Sequence, residues 1–190
     1  RTIAPDLIGF GKSDKPLERS SYTYQSHLNW LTSFIEQLDL KYMMLFCQDW
    51  GGLLGLRLLT QMDDRFTSVV VSNTALPTGN ITMPDSFMEW QAYSQHSETF
   101  DIGKVINLGT SRDLSEDVMR GYNAPFPTEE YKSGARMFPL LVPIKEDDPE
   151  AKNNINAWEK LGQWKKPMLT IFGEKDNIMK GAEAIFQSIV

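Results

Sequence analysis

Cysteine is nearly absent from this chain. Cys47 is the single thiol among 190 residues, so neither an intrachain disulfide nor a multi-cysteine metal centre can be built. Imidazole is almost as scarce, with His27 and His96 only. No apolar run approaches the about 18–20 residues of a membrane span, and no signal peptide is visible. Basic charge is in deficit: 19 Lys and Arg stand against 25 Asp and Glu, for a net charge of −6. That balance argues against nucleic acid or an anionic membrane surface as a partner. No metal site and no cofactor are expected, and a lone cysteine fits a reducing, cytoplasmic setting. What is present is a 41% hydrophobic content, enough for one sizeable core.

Four short apolar runs read as buried strands: Thr2–Ala4, Met43–Cys47, Thr67–Ser72 and Met168–Phe172. Helical patterns separate the first three, which predicts an α/β architecture with a parallel sheet and crossover helices. Leu28, Leu31, Phe34, Ile35 and Leu38 mark one helical face, and a second helix follows Gly52 through Leu53, Leu56 and Leu59. The stretch from Leu76 to Lys166 differs: it holds most of the ten prolines, four helix-like patches and few strand signals. Inserted between two strands, it reads as a packed helical cap rather than a plain surface excursion. The expected division is core over 1–76, cap over 77–165 and core again over 166–190.

The most informative segment is Leu45-Phe46-Cys47-Gln48-Asp49-Trp50-Gly51-Gly52. An apolar strand runs into a reactive residue with small neighbours at −2, +2 and +3, and a leucine-rich helix begins. That is the spacing of a nucleophile elbow, where a tight turn lifts the nucleophile off the strand end. A helix N-terminus favours an ionised carboxylate, and a carboxylate can displace a leaving group from saturated carbon to give an ester that water then hydrolyses. The backbone N–H of Trp50 would be one arm of an oxyanion hole in that second step. The plainer reading is that Asp49 merely caps the helix. The whole elbow pattern favours a nucleophile.

Gln48-Asp49-Trp50-Gly51-Gly52 resembles the elbow of haloalkane dehalogenases of the α/β-hydrolase fold, particularly those with glutamine before the nucleophile. Asp6-Leu7-Ile8-Gly9-Phe10-Gly11-Lys12-Ser13-Asp14-Lys15-Pro16 is similar to a loop common to dehalogenases and epoxide hydrolases. Tyr122-Asn123-Ala124-Pro125-Phe126-Pro127, with Tyr131, Gly134, Arg136 and Phe138-Pro139, resembles the dehalogenase cap. The resemblance implies Asp49 as nucleophile and Trp50 and Trp90 as halide-holding indoles, with Phe87 in the pocket wall. Indole N–H is a donor only, carried on a rigid apolar plate, which suits an anion kept away from water. Ordinary packing of a cap helix is the plainer account of Trp90. Asp176, after the strand in Thr170-Ile171-Phe172-Gly173-Glu174-Lys175-Asp176, matches the acid that orients a histidine. By itself that Gly-Glu-Lys-Asp would be a solvated turn. Trp30, Trp158 and Trp164 match no functional position and are expected to pack.

A dehalogenase needs a histidine to activate water, and neither His27 nor His96 matches its position. The upstream loop that supplies the second oxyanion-hole N–H is not found either, so the sequence reads as an internal fragment of a longer enzyme. The expected partners are a small haloalkane, a halide and water, with a monomeric full-length protein. Epoxide hydrolase is the nearest alternative, with Tyr93, Tyr122 or Tyr131 as candidate acids. A non-catalytic hydrolase-fold binding protein is the other.

Overall fold

Strand β1 (Met43–Gln48), β2 (Phe66–Ser72) and β3 (Met168–Ile171) pair in parallel, in the order β1-β2-β3, in a computed structural model that describes residues 1–189. Val190, the last residue of the expected 166–190 segment, lies outside the described residues. The register sets Gln48 beside Ser72, and Ser72 beside Ile171. All three strands therefore end level, and the residues after them leave the sheet along one carboxyl edge. Ligands of open parallel α/β sheets bind along that edge.

Thr2–Ala4, expected as a fourth strand, is not one. A strand is defined by its ladder, and this segment pairs with no other strand among the described residues. Its β-branched composition is compatible with extended backbone but does not supply a neighbour.

Helix α1 (Tyr24–Gln37) precedes β1, and α2 (Trp50–Gln61) makes the crossover from β1 to β2. Helix α2 starts two residues ahead of Gly52, and Leu53, Leu54, Leu56, Leu58 and Leu59 are all buried. A helix apolar around its whole girth belongs inside a fold. It packs on the sheet face that carries Leu45 and Cys47, where Gly55 lets the backbone approach Leu45 and Cys47 closely. The opposite face is bare: Met44, Phe46, Leu169 and Ile171 are 67%, 64%, 54% and 52% exposed.

The excursion between β2 and β3 contains five helices where four patches were expected: α3 (Asp85–His96), α4 (Ile102–Leu108), α5 (Glu116–Asn123), α6 (Ser133–Leu141) and α7 (Pro149–Leu161). Side-chain caps begin three of them. Asp101 accepts from Lys104 N, Ser115 from Val118 N, and Asp148 from Glu150 N with Pro149 in the first turn. Helix α8 (Glu183–Ile189) follows β3.

The chain forms two compact units. One comprises Arg1–Thr23 and Trp90–Leu140; the other comprises Tyr24–Glu89 and the segment from Leu141 onward. In the first unit the Asp6 carboxylate accepts Lys12 N at 2.8 Å, and Gly9 takes a φ of 97° that only glycine holds without strain. Gly9 and Gly134 both press on the Tyr22 ring. Phe100 stacks with Trp90, and Arg136 lies 4.8 Å from the Phe100 centroid while donating to Ser94 O, Ser97 O and Glu129.

In the second unit, α2 and α7 are joined by a buried ion pair. Arg57 donates to Glu150 at 2.8 Å and to Asn154 at 3.0 Å. Asn154 in turn donates to Pro77 O, and Trp158 Nε1 to Leu76 O, both at 2.8 Å. The chain leaving β2 is thereby fixed to α7.

Candidate active site

Asp49 sits at the turn from β1 into α2 with φ 49° and ψ −127°. A non-glycine residue in this region carries strain of order 1–3 kcal/mol, held only when the surroundings over-determine it. Those surroundings are visible here. Asp49 N donates to Asn73 O at 3.0 Å, and Asp49 O accepts Gly52 N at 2.8 Å, Leu53 N at 3.2 Å and the Thr74 hydroxyl at 2.7 Å. The Asp49 carboxylate makes no capping hydrogen bond to the helix. Asp49 occupies the N-cap position of α2, as the plainer reading from sequence has it, but through its backbone carbonyl and not through a side-chain cap.

The small residues of the elbow are small for different reasons. A Cβ on Gly52 would overlap the Thr74 hydroxyl and methyl and lie 2.5 Å from the Thr74 Cβ. One on Gly51 would meet nothing within 4 Å. So steric need at +3 holds and at +2 does not: Gly51 faces open space at the start of the helix. Cys47, at −2, is buried with its thiol toward Val70 O, and burial pushes that thiol up to about 12. It is a packing residue with no thiolate chemistry.

Asp176 lies beyond β3, its backbone N–H turned back to Gly173 O. Burial acts to raise its carboxyl, but the backbone N–H groups of Met179 and Ile178 and the Asn73 amide outweigh it and hold Asp176 below the usual carboxylate value. The distances are 2.9 Å from Ile178 N, 2.9 Å from Met179 N and 2.8 Å from Asn73 Nδ2. Asn73 is the hub. It follows β2 with φ 29°, takes Asp49 N on its carbonyl, takes Gly173 N on Oδ1, and donates Nδ2 to Asp176.

The Asp49 carboxyl is raised from its ordinary value. Crowding by surrounding protein is the main cause, the Asp176 charge adds to it, and the Trp50 backbone N–H opposes both. Asp49 is itself exposed, so water screens these influences. The N–H contribution expected of a helix N-terminus is present, and desolvation and a second carboxylate oppose it.

Trp50 is buried against Tyr24, with ring centroids 5.4 Å apart. Phe87 is buried in α3 within the same unit. Trp90 belongs to the other unit, stacked at 5.8 Å on Phe100 and 6.3 Å on Tyr93. His27 is buried edge-on to Trp30, and burial lowers it to about 4, so it is neutral at neutral pH. Sequence reasoning missed Asn73 and Thr74. The signal for both was position, since they directly follow the strand that pairs between the elbow strand and the Asp176 strand.

Asp49 is thus held in strained backbone at a strand end and linked through one asparagine to a second carboxylate. A family model described as alpha/beta hydrolase fold matches residues 1–185. The chain belongs to the α/β-hydrolase family. Among curated members it is 52% identical over its full length to a haloalkane dehalogenase of Psychrobacter cryohalolentis, covering 63% of that protein. It is 46% identical over 97% of its length to a haloalkane dehalogenase of Mycolicibacterium paratuberculosis, covering 61% of it. The tetrameric haloalkane dehalogenase DpaA of Paraglaciecola agarilytica superposes with a TM-score of 0.90 at 34% identity, over 98% of this chain and 62% of that one. The chain thus spans somewhat less than two thirds of the relatives it matches. Among the described residues no helix of this α/β-hydrolase chain is long and apolar enough to cross a membrane.

Proposed function

We propose that the protein carrying this chain hydrolyses the carbon–halogen bond of small haloalkanes through an ester on Asp49. A carboxylate oxygen of Asp49 attacks the carbon bearing the halogen; the new C–O bond forms as the C–X bond breaks, and its electron pair leaves as halide. Water then adds to the ester carbonyl, the acyl C–O bond breaks, and alcohol, a proton and the Asp49 carboxylate result. Trp50 and Trp90 are assigned as indole donors to the halide, Phe87 as pocket wall, and Trp50 N–H as one oxyanion donor.

The observation that carries the reading is Asp49 itself: strained, with its side chain not spent on capping α2, and coupled through Asn73 to Asp176. Asp176 is assigned to orient a histidine base. His27 is buried and neither it nor His96 matches the position the resemblance gives that base, so the base is proposed to lie in protein beyond these 190 residues. The same resemblance supports segments 1–76 and 166–190 as core and 77–165 as cap. A cytoplasmic setting is proposed from the single buried thiol. The tetrameric state of the Paraglaciecola enzyme counts against the monomer expected from sequence, and no monomer is proposed.

The test is to treat the 190-residue chain with a bromoalkane and measure its intact mass. An alkyl adduct mapped to Asp49, absent in Asp49→Asn and matched by stoichiometric bromide, is the expected result. Diol formation from an epoxide by the longer protein, without bromide release from bromoalkanes, would establish the epoxide hydrolase alternative instead.

A further inference from the structure

Three features of α2 face a single aromatic ring. Trp50, Leu53 and Arg57 recur at helical spacing along one side of that helix, and Tyr24, the first residue of α1, meets all three. Its ring lies 5.4 Å from the Trp50 ring at an interplanar angle of 57°. Its hydroxyl donates to Leu53 O at 2.6 Å. The Arg57 guanidinium lies 5.1 Å from its centroid. Leu53 N donates to Asp49 O, so two hydrogen bonds lead from the phenol to the backbone of the elbow residue.

This exceeds what core filling requires. Tyr24 is 2% exposed, and burial raises its hydroxyl, which stays protonated and a donor. Arg57 cannot drift, because Glu150 and Asn154 fix it from α7. A cation held near one aromatic ring, with that ring against an indole, confines the ring more narrowly than apolar contacts would.

We propose that Tyr24 is a positioning residue: it sets the plane of the Trp50 indole and pins the first turn of α2 behind Asp49. The functional meaning of that role rests on the reading of Trp50 as a halide donor; the positioning itself does not. A donor that must point at one anion site loses its use when its plane is free to rock.

The experiment labels the chain with 5-fluorotryptophan and follows the five tryptophan signals by fluorine NMR, assigning Trp50 with Trp50→Phe. Tyr24→Leu is expected to shift the Trp50 signal by several line widths while the remaining signals hold. Tyr24→Phe keeps the ring but loses the tether, and is expected to broaden the Trp50 signal near its original place. Val69→Ala, a buried truncation in β2, controls for general loosening and should leave Trp50 in place. The proposal is overturned if Tyr24→Leu leaves the Trp50 signal unmoved, shifts all five alike, or shifts it no further than Val69→Ala does. Bromide is titrated separately. If the unsubstituted chain gives no Trp50 response to bromide, the halide reading fails, while the positioning role of Tyr24 is still decided by the halide-free spectra. If it responds, Tyr24→Leu is expected to weaken bromide binding about tenfold, since misplacement of a binding group costs at least that order.

Discussion

Two adjacent glycines in the first turn of α2 should answer oppositely to the same substitution. In Gly52→Ala the new methyl overlaps the Thr74 hydroxyl and methyl and stands 2.5 Å from its Cβ. Thr74 is fully buried, so it must recede by roughly 1 Å to reach ordinary contact, at an overpacking cost of about 1–3 kcal/mol. That retreat stretches the 2.7 Å bond from its hydroxyl to Asp49 O past useful length, and a buried pair left unmade costs about 1–3 kcal/mol more. The helix gains roughly 0.5–1 kcal/mol from replacing glycine. The balance is a destabilisation of about 3 kcal/mol. Gly51→Ala takes the same gain and meets no atom, so it should stabilise by up to about 0.5–1 kcal/mol. Urea unfolding followed by circular dichroism, with midpoints compared at a shared slope, reads both. Trimming Thr74 to alanine in the Gly52→Ala background should rescue it only in part, because the overlapping hydroxyl and methyl go but the Thr74 Cβ remains at 2.5 Å. Equal midpoints for the two single variants would refute the idea that Thr74 is the elbow's fixed wall.

Glu150→Leu should cost about 3–5 kcal/mol, since it strands a buried guanidinium; the same urea titration measures it, and an effect under about 1 kcal/mol would show that Arg57 finds water. His27 gives a pH dependence with a definite sign. Its folded value, about 4, lies below the ordinary 6.5, so the unfolded chain takes up the proton first. The stability contribution is intact above pH 6.5 and is lost as pH falls toward 4, by about 3 kcal/mol in all; His27→Leu should flatten that slope. Asn73→Ala removes one of the three donors holding Asp176 down, so an NMR titration should find the Asp176 carboxyl raised, and no upward movement would discount the hub. Phe46→Lys with Leu169→Lys breaks the bare sheet face, and light scattering should record less self-association of the chain with concentration.

Runs of apolar residues sufficed to locate β1, β2 and β3, because the residues of the bare face are as apolar as those of the covered one. The same criterion misplaced Thr2–Ala4, since composition reports a residue's tolerance for extended backbone and not the presence of a neighbour. Gly51 and Gly52 suggested that α2 began after them; the helix starts at Trp50 because the Asp49 carbonyl already accepts its first bonds. Asp49 was legible through its small neighbours, although only Gly52 and Cys47 are constrained by contact. The Asp49–Asn73–Asp176 link was not legible, because its second half joins residues about a hundred positions apart that only strand pairing brings together. The influences opposing the Trp50 N–H on Asp49 were not legible for a related reason: local helix chemistry can be read along the chain, while crowding and the Asp176 charge arrive from elsewhere.

Asn73 gives the chain a timetable. Its amide cannot engage Asp176 or Gly173 until β3 docks, and β3 begins at Met168, after α3 to α7 have been made. Loop closure over such a span is slow compared with local helix formation. The turn at Asp49 can therefore fold early around β1, α2 and β2, with Asp176 joining once β3 docks. A nascent chain thus holds Asp49 in its turn before Asn73 has a second carboxylate to bind.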